Sequence, residues 1–446
     1  MVNRHSTLSI LALIAILVVL ARGIVFVVDS RWSDQEFSGG QEFDVDRWLE
    51  IARNLVNGKG YSLTTYGASD EPRPTAVRGP TVVYFFVALL WFFGDHPWLI
   101  VIAQWLVEVG TCAILFFIGI ELFQDRRVAF TACLFFAFYV PGMIFTFRAW
   151  SEPVFTLVLA GFTLSLLRAL RHPSVWRYAL CGALLGLAVM ARPVMQFYPL
   201  VILPILVWAT ERHWTTVLSR FAVFVVAFAI VLSPWVVRNY LVFDAFIPGS
   251  LWSGRPFYEG NFVLDRPDYL RHRGSEEGNL AFQKVLEARL GPAPDSHDAG
   301  SYARIKGISE LEIDRIASQE SVKLVQTFPG RYAILSTVRL FRFWFHHRLV
   351  TFVIIGGKLP KAASIAVVNL ALLGLAGAAL MWFRGPWLHL AVPLIVLIAY
   401  NSAVYGATNA VGRYSVPIMP YIMLFAAHTV VQLLAKWRVS EVSTRY

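Results

Sequence analysis

The chain has 446 residues, of which 57% are apolar and 15% charged, with a mean hydropathy of +0.57. Soluble domains carry about 25% charged residues, so this composition excludes an ordinary soluble protein and indicates many membrane spans. The net charge of +10 would suggest nucleic acid in a soluble protein. Here much of the basic charge lies in short loops between apolar runs, where the cytoplasmic preference of Lys and Arg accounts for it, and no nucleic-acid partner is expected. Cys112, Cys133 and Cys181 lie inside apolar runs and read as small hydrophobes. No C-x-x-C, H-E-x-x-H or Walker A spacing occurs.

Thr7 to Val28 is the first expected span; it is long enough to cross a bilayer, and no small-residue cleavage site follows it. Arg22 interrupts it and is expected to snorkel toward the nearer headgroups. Asp29 to Arg78 is an extramembrane loop with nine acidic and six basic residues. Within it Val45, Trp48, Leu49, Ala52, Leu55 and Val56 mark one helical face. Trp48 suits an interfacial depth, and Asn57-Gly58-Lys59-Gly60 ends the helix. Asp44 falls at or just before the start of this helix, where Asp is a favoured cap. Asp46 falls in its first turn, where the helix dipole favours a carboxylate. A divalent cation held by Asp44 and Asp46 is the alternative reading of the pair.

Pro80 to Phe93 is apolar but 14 residues long, which suits an interfacial or re-entrant helix. The later spans then fall near 97–122, 128–146, 151–169, 177–191, 194–210, 217–238, 361–383, 387–405 and 414–435. With the first, that makes ten, and both termini are cytoplasmic. Arg126, Arg127, Arg168, Arg171, Arg177, Arg212, Arg220, Arg384, Lys436 and Arg438 all face the cytoplasm in this arrangement. The two large outer loops hold 22 of the 29 acidic residues. If 80–93 spanned the membrane, the basic clusters would face outward, against the positive-inside rule. The outer face therefore gathers the Asp44 loop, Arg148 to Glu152, Arg192-Pro193, Arg238-Asn239-Tyr240 and Asn409 to Tyr414.

Phe243 to about Tyr332 is the second outer segment, with 13 acidic and 11 basic residues. Glu276 to Leu290 and Ile308 to Phe328 read as amphipathic helices, Gly291 to Gly300 as a loop, and Arg331 to Phe345 as an interfacial helix. The expected organisation is an N-terminal transmembrane module (1–242) with its outer loop (29–96), an outer-face cap (243–335) and a C-terminal transmembrane module (336–446).

An enzyme moving a sugar from a polyprenyl phosphate needs a carboxylate to deprotonate the acceptor, cations to bind the departing phosphate, and an apolar groove for the lipid tail. The outer face offers all three. The ordered motifs resemble the GT-C superfamily of membrane glycosyltransferases, in the branch of protein O-mannosyltransferases and bacterial aminoarabinose–lipid A transferases. The resemblance rests on Asp44 after the first span, eight residues before Ala52, and on Arg73-Pro74 and Arg78-Gly79-Pro80. It continues through Arg148-Ala149-Trp150-Ser151-Glu152, Gly186 to Pro193, Ser233 to Tyr240, and Arg413-Tyr414-Ser415-Val416-Pro417. The chain departs from the common pattern in having Asp44-Val45-Asp46 for Asp-Glu, Trp48 for Tyr and Gly79-Pro80 for Pro-Pro.

The resemblance implies an all-α polytopic membrane protein with about ten transmembrane helices, interfacial helices and a small outer-face helical segment. It implies an inverting glycosyltransferase in the cytoplasmic (inner) membrane, with its active site on the outer face. Its partners would be a polyprenyl-phosphate-linked sugar, membrane lipids, and a glycan, lipid or protein acceptor; a divalent metal is the one cofactor left open. Asp44 would be the base, and Glu152 would orient donor or acceptor. Arg78, Arg413, Arg238 and Arg192 would hold the donor phosphate. Trp235 and Trp252 are candidate platforms for a sugar. The rival readings are a transporter or flippase, which should carry ionisable groups near the midplane or internal repeats, and a polysaccharide ligase.

Overall fold

The computed structural model describes residues 4–28, 43–64, 72–209, 213–251, 253–271, 275–293, 296, 299–345 and 363–443. Trp252 lies outside them.

The chain opens with α1 (Arg4–Val28). The short α2 (Trp48–Val56) stops where Gly58 and Gly60 take φ of 73° and 71°, a region glycine enters without steric penalty. An antiparallel pair, β1 (Ser62–Leu63) with β2 (Arg73–Pro74), leads to α3 (Pro80–Phe93). Then come α4 (Pro97–Phe123), α5 (Arg126–Ala137), α6 (Val140–Met143), α7 (Glu152–Arg171), α8 (Val175–Ala191), α9 (Tyr198–Ala209) and α10 (Trp214–Phe243). The middle segment holds α11 (Gly254–Asn261), α12 (Ser275–Leu290), α13 (Ala299–Ile305), α14 (Glu310–Thr327) and α15 (Pro329–Trp344). Two further helices, α16 (Ala363–Trp382) and α17 (Trp387–Ala407), precede a 3-10 turn, Gly412–Ile418, that continues as α18 (Met419–Ser443).

Among the described residues, seven helical stretches are long and apolar enough to cross a membrane. The α5–α6 pair, bent by 58°, makes an eighth if read as one span. The other two expected spans are the shorter apolar helices α8 and α9, of 17 and 12 residues. Helix α3 has the bounds expected of it. Helix α7 is the centre of the bundle: 72% of its apolar window is buried, against 17% for α10. Large apolar side chains such as Trp91, Leu106, Leu241 and Trp382 are exposed, as lipid-facing residues are.

Arg22 does not snorkel. It is 1% exposed and lies against Glu108 of α4, Nη2 to Oε2 at 2.5 Å. A carboxylate in reach removes the reason to seek headgroups, because a paired charge can remain in an apolar surround.

The middle segment has its own buried cluster, which includes Tyr258, Phe262, Phe282, Leu286, Tyr302 and Ile316. Helices α11 and α13 were not expected there. Asp314 accepts from the Gly254 and Arg255 amides at 2.8 and 3.3 Å, closing the start of α11. The segment is tied to the first loop by Glu310, whose carboxylate accepts from the Thr75 hydroxyl at 2.8 Å and the Ala76 amide at 3.2 Å.

Candidate functional site

The site forms where five pieces of chain converge: the turn before α2, the start of α3, the start of α7, the end of α8, and the 3-10 turn before α18. The sequence pattern places the first helix from Val45, but Phe43–Asp46 is a turn and α2 starts at Trp48. Arg47 causes the difference. It sits in the left-handed region at φ 60°, which disfavours a helical start for a residue with a Cβ. Its guanidinium is held by Glu50, Nε to Oε2 at 2.6 Å.

This turn separates the two carboxylates. Asp44 points at the start of α2, where its Oδ2 accepts from the Glu50 amide at 2.8 Å and the carboxylate also bonds the Leu49 amide. It therefore caps the helix from outside it. Its Oδ1 is buried without a hydrogen-bond partner, and the residue is 6% exposed. Burial pushes the Asp44 carboxyl up to about 7, against the lowering effect of the two amides.

Asp46 is not a first-turn, dipole-stabilised carboxylate; it lies before the helix among arginines. Arg78 donates through Nη2 to Asp46 Oδ1 at 3.3 Å and through Nε to the Asp46 carbonyl at 2.7 Å. Arg413 Nη1 lies 3.4 Å from Asp46 Oδ2. Burial raises the Asp46 carboxyl, but Arg78, Arg413 and Arg192 together outweigh burial and hold it below the usual range. A divalent cation does not fit these surroundings. Both Asp46 oxygens face guanidinium groups, and among the described residues no cluster of three or more His, Cys, Asp or Glu could hold a metal.

Glu152, 1% exposed, opens α7 and pairs with Arg192 Nη2 at 2.6 Å; Arg413 Nε lies 3.8 Å from the same carboxylate. Arg192 also donates to the Ser151 hydroxyl at 3.0 Å. Arg413 thus bridges Asp46 and Glu152, lying over the Trp150 ring at 4.5 Å. The Asp44 turn and the Glu152 loop are joined directly, since the Ala149 amide donates to the Phe43 carbonyl at 3.0 Å. Tyr414 stacks on Tyr405 at 4.6 Å beneath Arg192 and Arg413. Nothing near Tyr405 in the chain marks it, because its partners come from other elements.

Of the expected arginines, Arg78, Arg192 and Arg413 meet the carboxylates. Arg238 is engaged elsewhere: it donates to the Thr75 and Tyr61 carbonyls at 2.8 and 3.0 Å and lies over the Tyr61, Trp235 and Phe243 rings. Trp235 is no open platform for a sugar. It is buried, its Nε1 donates to the Gly249 carbonyl, and its ring packs on Tyr61.

Residues 76–237 match the family model described as dolichyl-phosphate-mannose-protein mannosyltransferase. That stretch carries Arg78, Glu152 and Arg192. Over 99% of its length the chain also superposes on the archaeal oligosaccharyltransferase AglB from Archaeoglobus fulgidus, solved with an inhibitory peptide and a dolichol-phosphate, at a TM-score of 0.59 and 14% identity. The chain has the GT-C fold. The chain covers 52% of the length of AglB. It also matches ArnT from Cupriavidus metallidurans bound to undecaprenyl phosphate, at a TM-score of 0.36 and 18% identity over 86% of this chain and 72% of that one. No curated protein matches the chain.

Gly79 brings Arg78 and Arg192 close together. A Cβ there would lie 2.0 Å from the Met190 carbonyl oxygen, so Arg78 and Arg192 share one close backbone crossing. Gly79→Ala should force α3 from the end of α8 and destabilise the protein by about 1–3 kcal/mol. Thermal unfolding in detergent measures this, and an unchanged midpoint would show that the crossing relaxes freely.

Proposed function

We propose that this GT-C protein is an inverting glycosyltransferase. It takes a monosaccharide from a polyprenyl phosphate on the outer face of the cytoplasmic membrane and passes it to a hydroxyl or phosphate of a glycan, lipid or protein. The observation that carries this reading is Asp44: a buried carboxyl with one unpartnered oxygen and a proton affinity near neutrality, two residues before Asp46, on which three arginines act.

Asp44 Oδ1 takes the proton from the acceptor oxygen, which attacks the anomeric carbon from the face opposite the phosphate. The bond from that carbon to the phosphate oxygen breaks, and its electron pair leaves with the polyprenyl phosphate. A phosphate leaving group needs no general acid. Arg78 and Arg413 face the new charge, with Arg413 lying 3.4 and 3.8 Å from its two carboxylates and over the Trp150 ring. Guanidinium groups suit this task because they meet phosphate oxygens through paired donors. Glu152 fixes Arg192 and, through it, the layer. The basic loops at Arg126-Arg127 and Arg168–Arg177 join the opposite ends of the helices, which supports the outward orientation of the site.

A transporter remains the contrasting reading, because Arg22 and Glu108 are ionisable groups within spans. The cavity beside them has room for about one water, too little for a sugar pathway. The test is transfer in vitro from a panel of polyprenyl-phosphate sugars. Arg413→Ala should raise the KM for donor on the order of tenfold, while Arg238→Ala changes it by less than about threefold. No transfer from any donor, or equal effects of the two variants, would overturn the assignment.

A further inference from the structure

Arg22 and Glu108 meet inside the bundle, on α1 and α4, with side chains 1% and 8% exposed. Arg22 spends its other Nη on two carbonyls, Val18 at 3.2 Å and Ala137 at 3.3 Å. Ala137 is the last residue of α5, immediately before the 58° bend. The last carbonyls of a helix have no partner within it and carry its partial negative charge. Arg22 therefore caps α5 at its break, with Glu108 balancing the cation.

The chain beyond the break leads into the site. It runs through α6 and Ile144–Thr146 to Ala149, which bonds the Phe43 carbonyl, and then to Glu152. A small cavity beside the ion pair is lined by Tyr139 and Gly142 of the broken segment and by Thr156, one turn past Glu152. Val416 and Met419 close it from the segment that carries Arg413. Arg22 Nε is buried without a hydrogen-bond partner, and the cavity has the size to seat the water that would accept from it. The buried pair thus bonds the end of α5, whose continuation delivers Glu152, and shares a cavity with the segment that carries Arg413.

We infer that Arg22 and Glu108 are positioning residues: a latch inside the membrane that fixes the α5–α6 break and thereby sets the Asp44, Glu152 and Arg413 layer. A merely structural pair would be a poor choice for this place. Well-packed apolar residues of similar volume usually match or exceed the stability of a buried ion pair, whereas ionisable groups within spans mark function.

The inference rests on the glycosyltransfer reading only for its kinetic test. The full-length protein in lipid nanodiscs is compared with Arg22→Met/Glu108→Met and with Arg22→Lys, which keeps the charge but cannot reach both Glu108 and Ala137 with separate nitrogens. The double variant should melt no lower than wild type, lose on the order of tenfold in kcat, and raise the donor KM by less than Arg413→Ala does. Amide exchange at 43–50 and 146–152 should rise about tenfold. Arg22→Lys should show the same changes more weakly, and it carries the test if the double variant does not fold. Unchanged kcat together with unchanged exchange in a folded variant would overturn the latch. If wild-type protein transfers no sugar, the functional assignment fails and the exchange measurement alone decides the latch.

Discussion

Replacing Asp44 with Asn should lower kcat for sugar transfer by on the order of 10²- to 10⁴-fold, the usual contribution of a general base, with donor KM nearly unchanged. The substitution keeps an oxygen for the Glu50 and Leu49 amides that Asp44 now serves, so α2 stays capped. What disappears is the free oxygen that can take a proton. Undiminished transfer by a folded Asp44→Asn protein would remove Asp44 from the mechanism. The pH dependence has its origin in the same burial. A base works deprotonated, and the Asp44 carboxyl is pushed up to about 7. The wild-type kcat/KM should therefore rise with pH through about 7 and level off above it, a limb absent from any residual activity of Asp44→Asn.

Stability runs the other way. A carboxyl with a folded-state pKa above its ordinary value binds its proton more tightly in the native state. Its contribution is fully present below pH 3.8 and is lost as pH rises through about 7. Above neutrality the ionised, buried Asp44 costs roughly 4 kcal/mol. The Asn amide nitrogen lacks an acceptor at the Oδ1 position, which costs about 1–3 kcal/mol. Asp44→Asn should thus melt at or above the wild-type temperature at pH 8 and lose that advantage at pH 5. A base that destabilises the fold it serves is the expected trade between activity and stability.

Arg192→Met should be the most destabilising single change in the site. It leaves Glu152, 1% exposed and now paired at 2.6 Å, with Arg413 at 3.8 Å as its nearest cation among the described residues. Stranding a buried carboxylate costs about 3–5 kcal/mol, with the lower end expected because Arg413 can move in. Arg192→Met/Glu152→Gln removes both charges and should recover most of the stability. It should not recover activity, because the Arg413 guanidinium loses one of the two carboxylates that place it. Thermal melts of both variants, read beside their transfer rates, separate the two effects. A single variant as stable as wild type would mean that Arg192 and Glu152 are not coupled as the geometry has them.

The expectations drawn from local pattern met the structure in a graded way. Helix α3, too short and apolar to be an ordinary span, has its expected bounds, and α2 stops at the predicted glycines. Helices α12, α14 and α15 fall within a few residues of the amphipathic stretches. Each of these rests on periodicity or turn chemistry contained in about a dozen neighbouring residues. Arg47 defeated the same kind of reasoning at the start of α2, because its left-handed backbone is set by Glu50 and the following loop rather than by propensity.

By itself the sequence determined that this is a polytopic helical membrane protein, where its apolar helices run, and which charged residues stand at their ends. The tertiary structure alone decided which charges meet. Asp46 finds Arg413 across the length of the chain, Arg22 finds Glu108 from 86 residues away, and Arg238 turns to backbone carbonyls instead of the carboxylates. The physical reason is range. Helices arise from contacts three and four residues apart, whereas an ion pair depends on how whole helices pack and bend, and no local pattern records that.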